Sequence, residues 1–455
     1  MRQILFIASL GIILQMTPCR ASVANIKDAI KSGLGIKEEI YSIVFYIKNT
    51  VVKIFPYRFF VAKGDRSIKV SNEKVIKHEV DLSAYVKKSK EFNERLDPML
   101  KSIERVVQKC RWPKTPMVLV AANTERTQVF NEILEMVACR MKCEGFVIRD
   151  CDKFILAKSQ KAIATWYSFN LLLDRLRKDR KPVATLNLGG SAVSAVFLPT
   201  DREKKELKNL TPVTAYSKNY DLYVHSWIHL NWFEVRQKVL EYKLNHALLP
   251  GTTVNINSFC MSPLDVVKWT YKGVTYNITG INELPTLSMF TRSPYVRFES
   301  CKFVMREVLS GYEKAPSLNC KEIYVSSNLY KIAVAHKLIK PNEETVWDLR
   351  QLERLATTKC ENMLPGDDFL CMDLTYVLIL LQSHFGLCAC DEIHIADSIK
   401  GITTSWSFGA AFMNLNKKST LIGGKRVPRC LGLKEVEGQC TRVDSPSLCS
   451  TFKSN

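Results

Sequence analysis

Short apolar runs and helically spaced apolar stripes alternate along this chain from about residue 40 to residue 415. Tyr41 to Phe45 reads as a strand, with Ile54 to Val61 as its hairpin partner. Met117 to Ala121, introduced by Pro116, is a short apolar strand. From Arg126 to Met141 the period is helical: Val129, Ile133 and Val137 form one stripe, flanked by Phe130 and Leu134. Phe146 to Ile148 reads as another strand. Lys158 to Lys178 reads as a long amphipathic helix with Ile163, Trp166, Asn170 and Leu173 on one side. Val183 to Leu188 and Ala192 to Leu198 are strands joined by a Gly189-Gly190-Ser191 turn. Helices and short strands continue from Ser226, with a buried helix over Leu374 to Leu381, a strand over Glu392 to Ala396 and a last helix over Trp406 to Leu415. Such alternation predicts a layered α/β fold. No internal repeat is visible in the residues.

The chain ends change the picture. Arg2, the apolar stretch Ile4 to Met16, Pro18, and the small residues Cys19 and Ala21 have the order of a signal peptide over 1–21. The stretch is shorter than the roughly 20 residues a bilayer span needs, and no later segment has an uncharged apolar run long enough to span, so no transmembrane helix is expected once it is removed. After Lys417 the pattern fades into a basic, Cys-rich tail over 417–455, with Cys430, Cys440 and Cys449 expected as disulfide tethers. These features imply a chain that is secreted or resident in the ER or Golgi lumen. About 430 mature residues exceed one ordinary core, so two domains are expected.

Of 15 cysteines, Cys19 leaves with the signal segment. Cys139 with Cys143, and Cys388 with Cys390, lack the paired spacing and nearby His of a zinc site and are expected to be disulfides or buried thiols. Asn209-Leu210-Thr211 and Asn277-Ile278-Thr279 are glycosylation sequons. The formal net charge of +20 suits polyanionic partners such as glycosaminoglycans, through the run Arg175, Arg177, Lys178, Arg180 and Lys181 or that of Lys417, Lys418, Lys425, Arg426 and Arg429; a solvated, solubilising face is the alternative. No nucleic-acid module, HExxH, G-x-S-x-G or Walker loop is present.

Several segments resemble the apyrase family of nucleoside di- and triphosphatases, including its lumenal and secreted diphosphatases. Phe369-Leu370-Cys371-Met372-Asp373-Leu374-Thr375-Tyr376 resembles the family's FLCMDLSY segment, and Trp406-Ser407-Phe408-Gly409-Ala410-Ala411-Phe412 its W-x-L-G-A-x-F block. Asp81 to Tyr85, Thr115 to Leu119 and Tyr223 to Leu230 resemble further blocks in the same order. The resemblance implies a two-domain actin-like (ribonuclease H-like) α/β fold with a central nucleotide cleft, the first domain taking 38–172 plus 390–416 and the second 173–389. It also implies two phosphate-cradling hairpins, a Ca2+ or Mg2+ ion held by acids, a glutamate that activates water, and disulfides Cys260–Cys301 and Cys360–Cys371.

At the matching positions the chain departs from that pattern. The first phosphate loop becomes Tyr46-Ile47-Lys48-Asn49-Thr50, with neither its acid nor its glycine; Lys48 could meet a phosphate, or the segment could be plain strand. Trp166 and Asn170 set the register that puts Lys161 at the general base. An ammonium of pKa near 10.4 takes no proton from water at neutral pH. The second loop becomes Asn187-Leu188-Gly189-Gly190-Ser191, keeping the glycines but exchanging a metal-associated carboxylate for an amide, and Ser194 stands where a glutamine is expected. Tyr324 and Tyr330 are candidates for stacking on a base or for core packing. The expected function is a catalytically impaired family member that binds a nucleotide, polyanion or protein. One alternative is a working metal-dependent phosphatase acting on UDP, GDP or ATP through displaced acids (Asp150, Asp152 or Asp373); another is a glycosaminoglycan or cell-surface binder.

Overall fold

The computed structural model describes residues 36–419, apart from 49, 63–67, 73, 123–126, 150–151, 177–179, 209, 217, 245–246 and 282–295. The signal segment, the tail beyond 419, Asn49, Asp150 and Asn209 therefore lie outside the described residues. The chain forms two compact units, one taking everything up to Gln160 and from Trp406 on, the other Lys161–Ser405.

In unit one, β1 (Ile36–Lys48) and β2 (Val51–Ala62) form an antiparallel hairpin. Both β3 (Ile68–Asn72) and β4 (Ile76–Glu79) pair with β2. β5 (Met117–Ala122) runs parallel to β1, and β6 (Lys153–Leu156) parallel to β5. Period-2 alternation divides β1 between two covered faces. Ile43, Phe45 and Ile47 meet Phe92, Leu96 and Met99 of α1 (Ser89–Glu104) and Ile133, Leu134 and Val137 of α2 (Thr127–Cys143) in one core. The other face lies under the C-terminal helix Trp406–Ser419: Ser42 donates to the carbonyl of Ala411 at 3.2 Å, and Phe408 packs on Tyr57 and Phe59.

In unit two, β7 (Ala184–Leu188) and β8 (Val193–Phe197) form the hairpin. β9 (Leu210–Ala215) and β10 (Lys218–Trp227) extend it antiparallel beyond β8. A separate small sheet has the order β11 (Thr253–Ser258), β13 (Val274–Gly280), β12 (Val266–Tyr271). β14 (Ile323–Ser327) is parallel to β7 and β16 (Glu392–Ile395) parallel to β14, with β15 (Thr345–Asp348) antiparallel on the edge. The core beneath is filled by α4 (Trp232–Leu240), α5 (Val296–Ser310), α6 (Leu349–Glu361) and α7 (Leu370–Ile379). Every residue of α7 is buried, which explains its mostly apolar sequence, Asp373 and Thr375 excepted. Cys260–Cys301 and Cys360–Cys371 are disulfides, and Cys110 and Cys139 are also disulfide-bonded. Among the described residues no helix is long and apolar enough to cross a membrane.

The two main sheets share a topology. The order β2-β1-β5-β6 in unit one is repeated as β8-β7-β14-β16 in unit two, although the residues show no repeat. Mixed α/β layering is as the sequence predicts, but several particulars differ. Phe146 to Ile148 makes a single bridge, Val147 to Pro116, rather than a strand. The helix from Lys158, α3 (Lys158–Leu172), stops early because Asp174 adopts φ +58°, the left-handed region in which helices end. From Ala162 to Leu172 it is buried on every side, so it is an interior helix and not an amphipathic one. Cys143, Cys388 and Cys390 are exposed thiols, neither bridged nor buried. The compact units divide the chain at 160/161 and 405/406, where the resemblance implied domains divided at 172/173 and 389/390.

Candidate functional site

The residues singled out by the sequence gather on two hairpins, one per unit. Tyr46 pairs with Lys53 and Asn187 with Ser194, each with the residue seven positions on. The replaced acid positions are thus the same rung of two topologically equivalent hairpins.

In unit one the ladder runs on tightly through Ile47↔Val52 to Lys48↔Val51. The Thr50 carbonyl accepts from Val80 N–H at 2.8 Å, so it serves the sheet. Lys48 is exposed. Tyr46 turns its ring to Trp406, centroids 5.1 Å apart, and burial raises its phenol pKa. The segment is plain strand up to Lys48, and Tyr46 offers a neutral hydroxyl where a carboxylate would be needed.

In unit two the ladder ends one rung earlier, at Leu188↔Val193, and a single bond from Gly189 N–H to the Ala192 carbonyl (3.1 Å) holds the turn. Ser191 is exposed at its tip. Both glycines have packing reasons. A Cβ on Gly189 would stand 2.8 Å from the Ala192 carbonyl oxygen, and one on Gly190 2.8 Å from the ring of Phe233. Phe233 opens α4, where Asn231 caps the helix by accepting from Phe233 and Glu234 N–H, while Trp232 N–H donates to the Gly189 carbonyl. The turn is therefore backed by a helix start that already has partners for its first N–H groups. Across the hairpin Ser194 shares a hydroxyl–hydroxyl bond of 2.8 Å with Ser226. The rung that includes Asn187 is an amide facing a hydroxyl.

Lys161 lies near the start of α3, partly exposed, its carbonyl accepting from Thr165. Its register is fixed by the motif that follows. Trp166 Nε1 donates to the Val183 carbonyl at 3.0 Å, and Asn170 grips Val183 from both sides, accepting from its N–H (2.7 Å) and donating to its carbonyl (3.2 Å). Trp166 and Asn170 bind helix to sheet, a structural task independent of catalysis.

The two displaced acids among the described residues, Asp152 and Asp373, are each paired with an arginine. Asp152 is buried and accepts from Arg149 at 2.7 and 3.0 Å. Asp373 is buried with both oxygens on Arg236 Nη2 (2.9 and 2.8 Å), and that guanidinium lies 3.7 Å from the centre of the Phe369 ring. Burial raises the Asp373 pKa, with Arg236 opposing. Among the described residues no group of three or more His, Cys, Asp or Glu is placed to hold a metal ion. Hard divalent cations need oxygen ligands with charge, and the residues at the two hairpin rungs do not fit one.

The remaining candidates are spent in the fold. Tyr324 is 3 % exposed, stacked on His394 at 4.5 Å, with its hydroxyl on Glu344. The Tyr330 hydroxyl accepts from Asn342 N–H. Both rings are buried in unit two. In the basic run Arg175 is held by Glu322 at 2.7 Å and Arg180 lies 3.8 Å from Asp174, so part of that charge is internally compensated.

The sequence profile of the GDA1/CD39 (nucleoside phosphatase) family matches residues 35–427. The chain belongs to that family. It is 27% identical over 390 residues to ectonucleoside triphosphate diphosphohydrolase 5 of Bos taurus, covering 82% of this chain and 87% of the relative. It is 24% identical over 407 residues to the nucleoside-diphosphatase uda-1 of Caenorhabditis elegans, covering 83% and 82%. A crystal structure of a nucleoside triphosphate hydrolase from Neospora caninum covers 86% of this chain and 95% of its own, with TM-score 0.52 and 12% identity. That likeness identifies the actin-like fold. The disulfides add an oxidising, extracytoplasmic setting.

Proposed function

We propose that this chain keeps the family's recognition of nucleoside phosphates and lacks its metal-assisted hydrolysis. One observation carries the reading: Lys161, in register with Trp166 and Asn170, stands where the family's proton acceptor belongs. Loss of a general base alone costs about 10²- to 10⁴-fold in rate. The neutral rungs at Tyr46 and Asn187 support the same conclusion, since neither supplies the charge a bound Ca2+ or Mg2+ would need. Recognition would rest on the Gly189–Ser191 turn, whose small residues let a phosphate oxygen approach the backbone.

Phosphate release from UDP, GDP and ATP with Ca2+ or Mg2+, run beside calorimetric binding of the same nucleotides, tests this. Binding without turnover is expected. Rapid turnover abolished by a chelator would overturn it in favour of a working nucleoside diphosphatase, the reading favoured by the family match over 35–427 and by the activities in the relatives' names. Residence in the secretory lumen or release from the cell follows from the signal segment under either reading.

A further inference from the structure

The small sheet of unit two has one core face and one outer face. On β13, Val274, Tyr276 and Ile278 are buried, while Thr275, Asn277 and Thr279 turn outward. The register sets Asn277 between Asn255 and Lys268, and Thr279 between Asn257 and Val266; all four neighbours are exposed. Lys268 is the one charged residue among the outward positions of these strands, in a chain with 24% charged residues. Beside it Val266 is 68% exposed and Leu264 67%. Among the described residues β11 and β12 are both edges. A charge-poor face ending in open edges invites pairing between molecules, and proteins blunt such edges with charge, bulges or a cover.

We propose that Asn277 bears an N-linked glycan that stands at the centre of this face and covers it. The strand period places both acceptor residues of Asn277-Ile278-Thr279 on the outer side, while Ile278 between them anchors the segment in the core. Asn277 Nδ2 donates to Asn255 Oδ1 at 3.0 Å. An amide nitrogen carries two N–H bonds. A glycan replaces one and leaves the other for Asn255, so the sheet accepts the modification without losing this bond. In the transfer Nδ2 bonds to the anomeric carbon of a lipid-pyrophosphate-linked oligosaccharide. The bond from that carbon to the pyrophosphate breaks, the lipid pyrophosphate leaves with the electron pair, and one amide proton passes to a base of the transferase.

The test uses the full chain secreted from glycosylating cells. Peptide mass spectrometry is expected to find Asn277 occupied. Asn277→Gln and Thr279→Ala should each lose one glycan, and Thr279→Ser should keep it. Folded protein is then trimmed by an endoglycosidase that leaves only the first sugar, and its mass is followed by light scattering; dimers and larger species are expected after trimming. An unmodified Asn277 in the secreted protein would overturn the site. Trimmed protein with unchanged mass would overturn its role as a cover. Because trimming follows folding, neither result can be confused with a variant that fails to fold.

Discussion

Arg236 meets both oxygens of Asp373, inside a core that would otherwise expel its charge. Removing one member of a buried pair leaves the other uncompensated, at a cost of about 3–5 kcal/mol. Arg236→Ala should lower stability by that order, read as a urea midpoint at constant slope. Arg236→Lys should fall between, since a lysine keeps the charge but not the flat contact with Phe369. Such a pair cannot serve as a substitute metal ligand without unfolding its surroundings. Lys161 was readable from the sequence because Trp166 and Asn170 fix its register. The fate of Asp152 and Asp373 was not, since their partners lie three and 137 residues away and only folding shows which arginine each meets.

At the scale of elements, the glycine turn separates packing from chemistry. A substituent at Gly189 meets fixed backbone, whereas one at Gly190 meets the ring of Phe233, which can move. Gly189→Ala is therefore expected to destabilise by roughly 1–3 kcal/mol, as overpacking does. Gly190→Ala should cost less, and Phe233→Leu in the same chain should relieve it; chemical denaturation of the single and double variants measures both. The turn itself was legible as a Gly-Gly-Ser break between two apolar runs. The extent of α3 was not: its apolar positions continue past Leu172, and the left-handed Asp174 that ends it leaves no mark in a periodicity. Tyr324 and Tyr330 leave two readings open for a related reason, because an aromatic on a central strand or the helix after it looks the same in sequence whether its ring meets a ligand or a neighbour.

For the whole molecule, pH should matter on the acid side. His384 is buried at the end of the π-helical turn Leu380–His384 that follows α7, where desolvation, helped by His225, pulls its pKa down to about 4 from the usual 6.5. A group held neutral in the folded state contributes nothing above its unfolded pKa and costs stability below it, as the unfolded chain takes up the proton first. Melting temperature should therefore fall as pH drops from about 6.5 toward about 4, and His384→Gln should flatten that slope; an unchanged slope would assign the acid sensitivity to other groups. The layered α/β class and the order of motifs were legible because both rest on local periodicity and short segments. The doubling of β2-β1-β5-β6 as β8-β7-β14-β16 was hidden, since topology is preserved by which strands pair and not by which side chains they carry.

That doubling has a bearing on history. Tyr46 and Asn187 occupy the same rung of two separate hairpins, one in each unit. Under the proposed reading, binding of nucleoside phosphates without metal-assisted hydrolysis, one relaxed task accounts for both exchanges at once. On that reading a lone acid restored in either half would supply only part of the charge a divalent cation needs, so regained turnover would call for Tyr46→Asp and Asn187→Asp together.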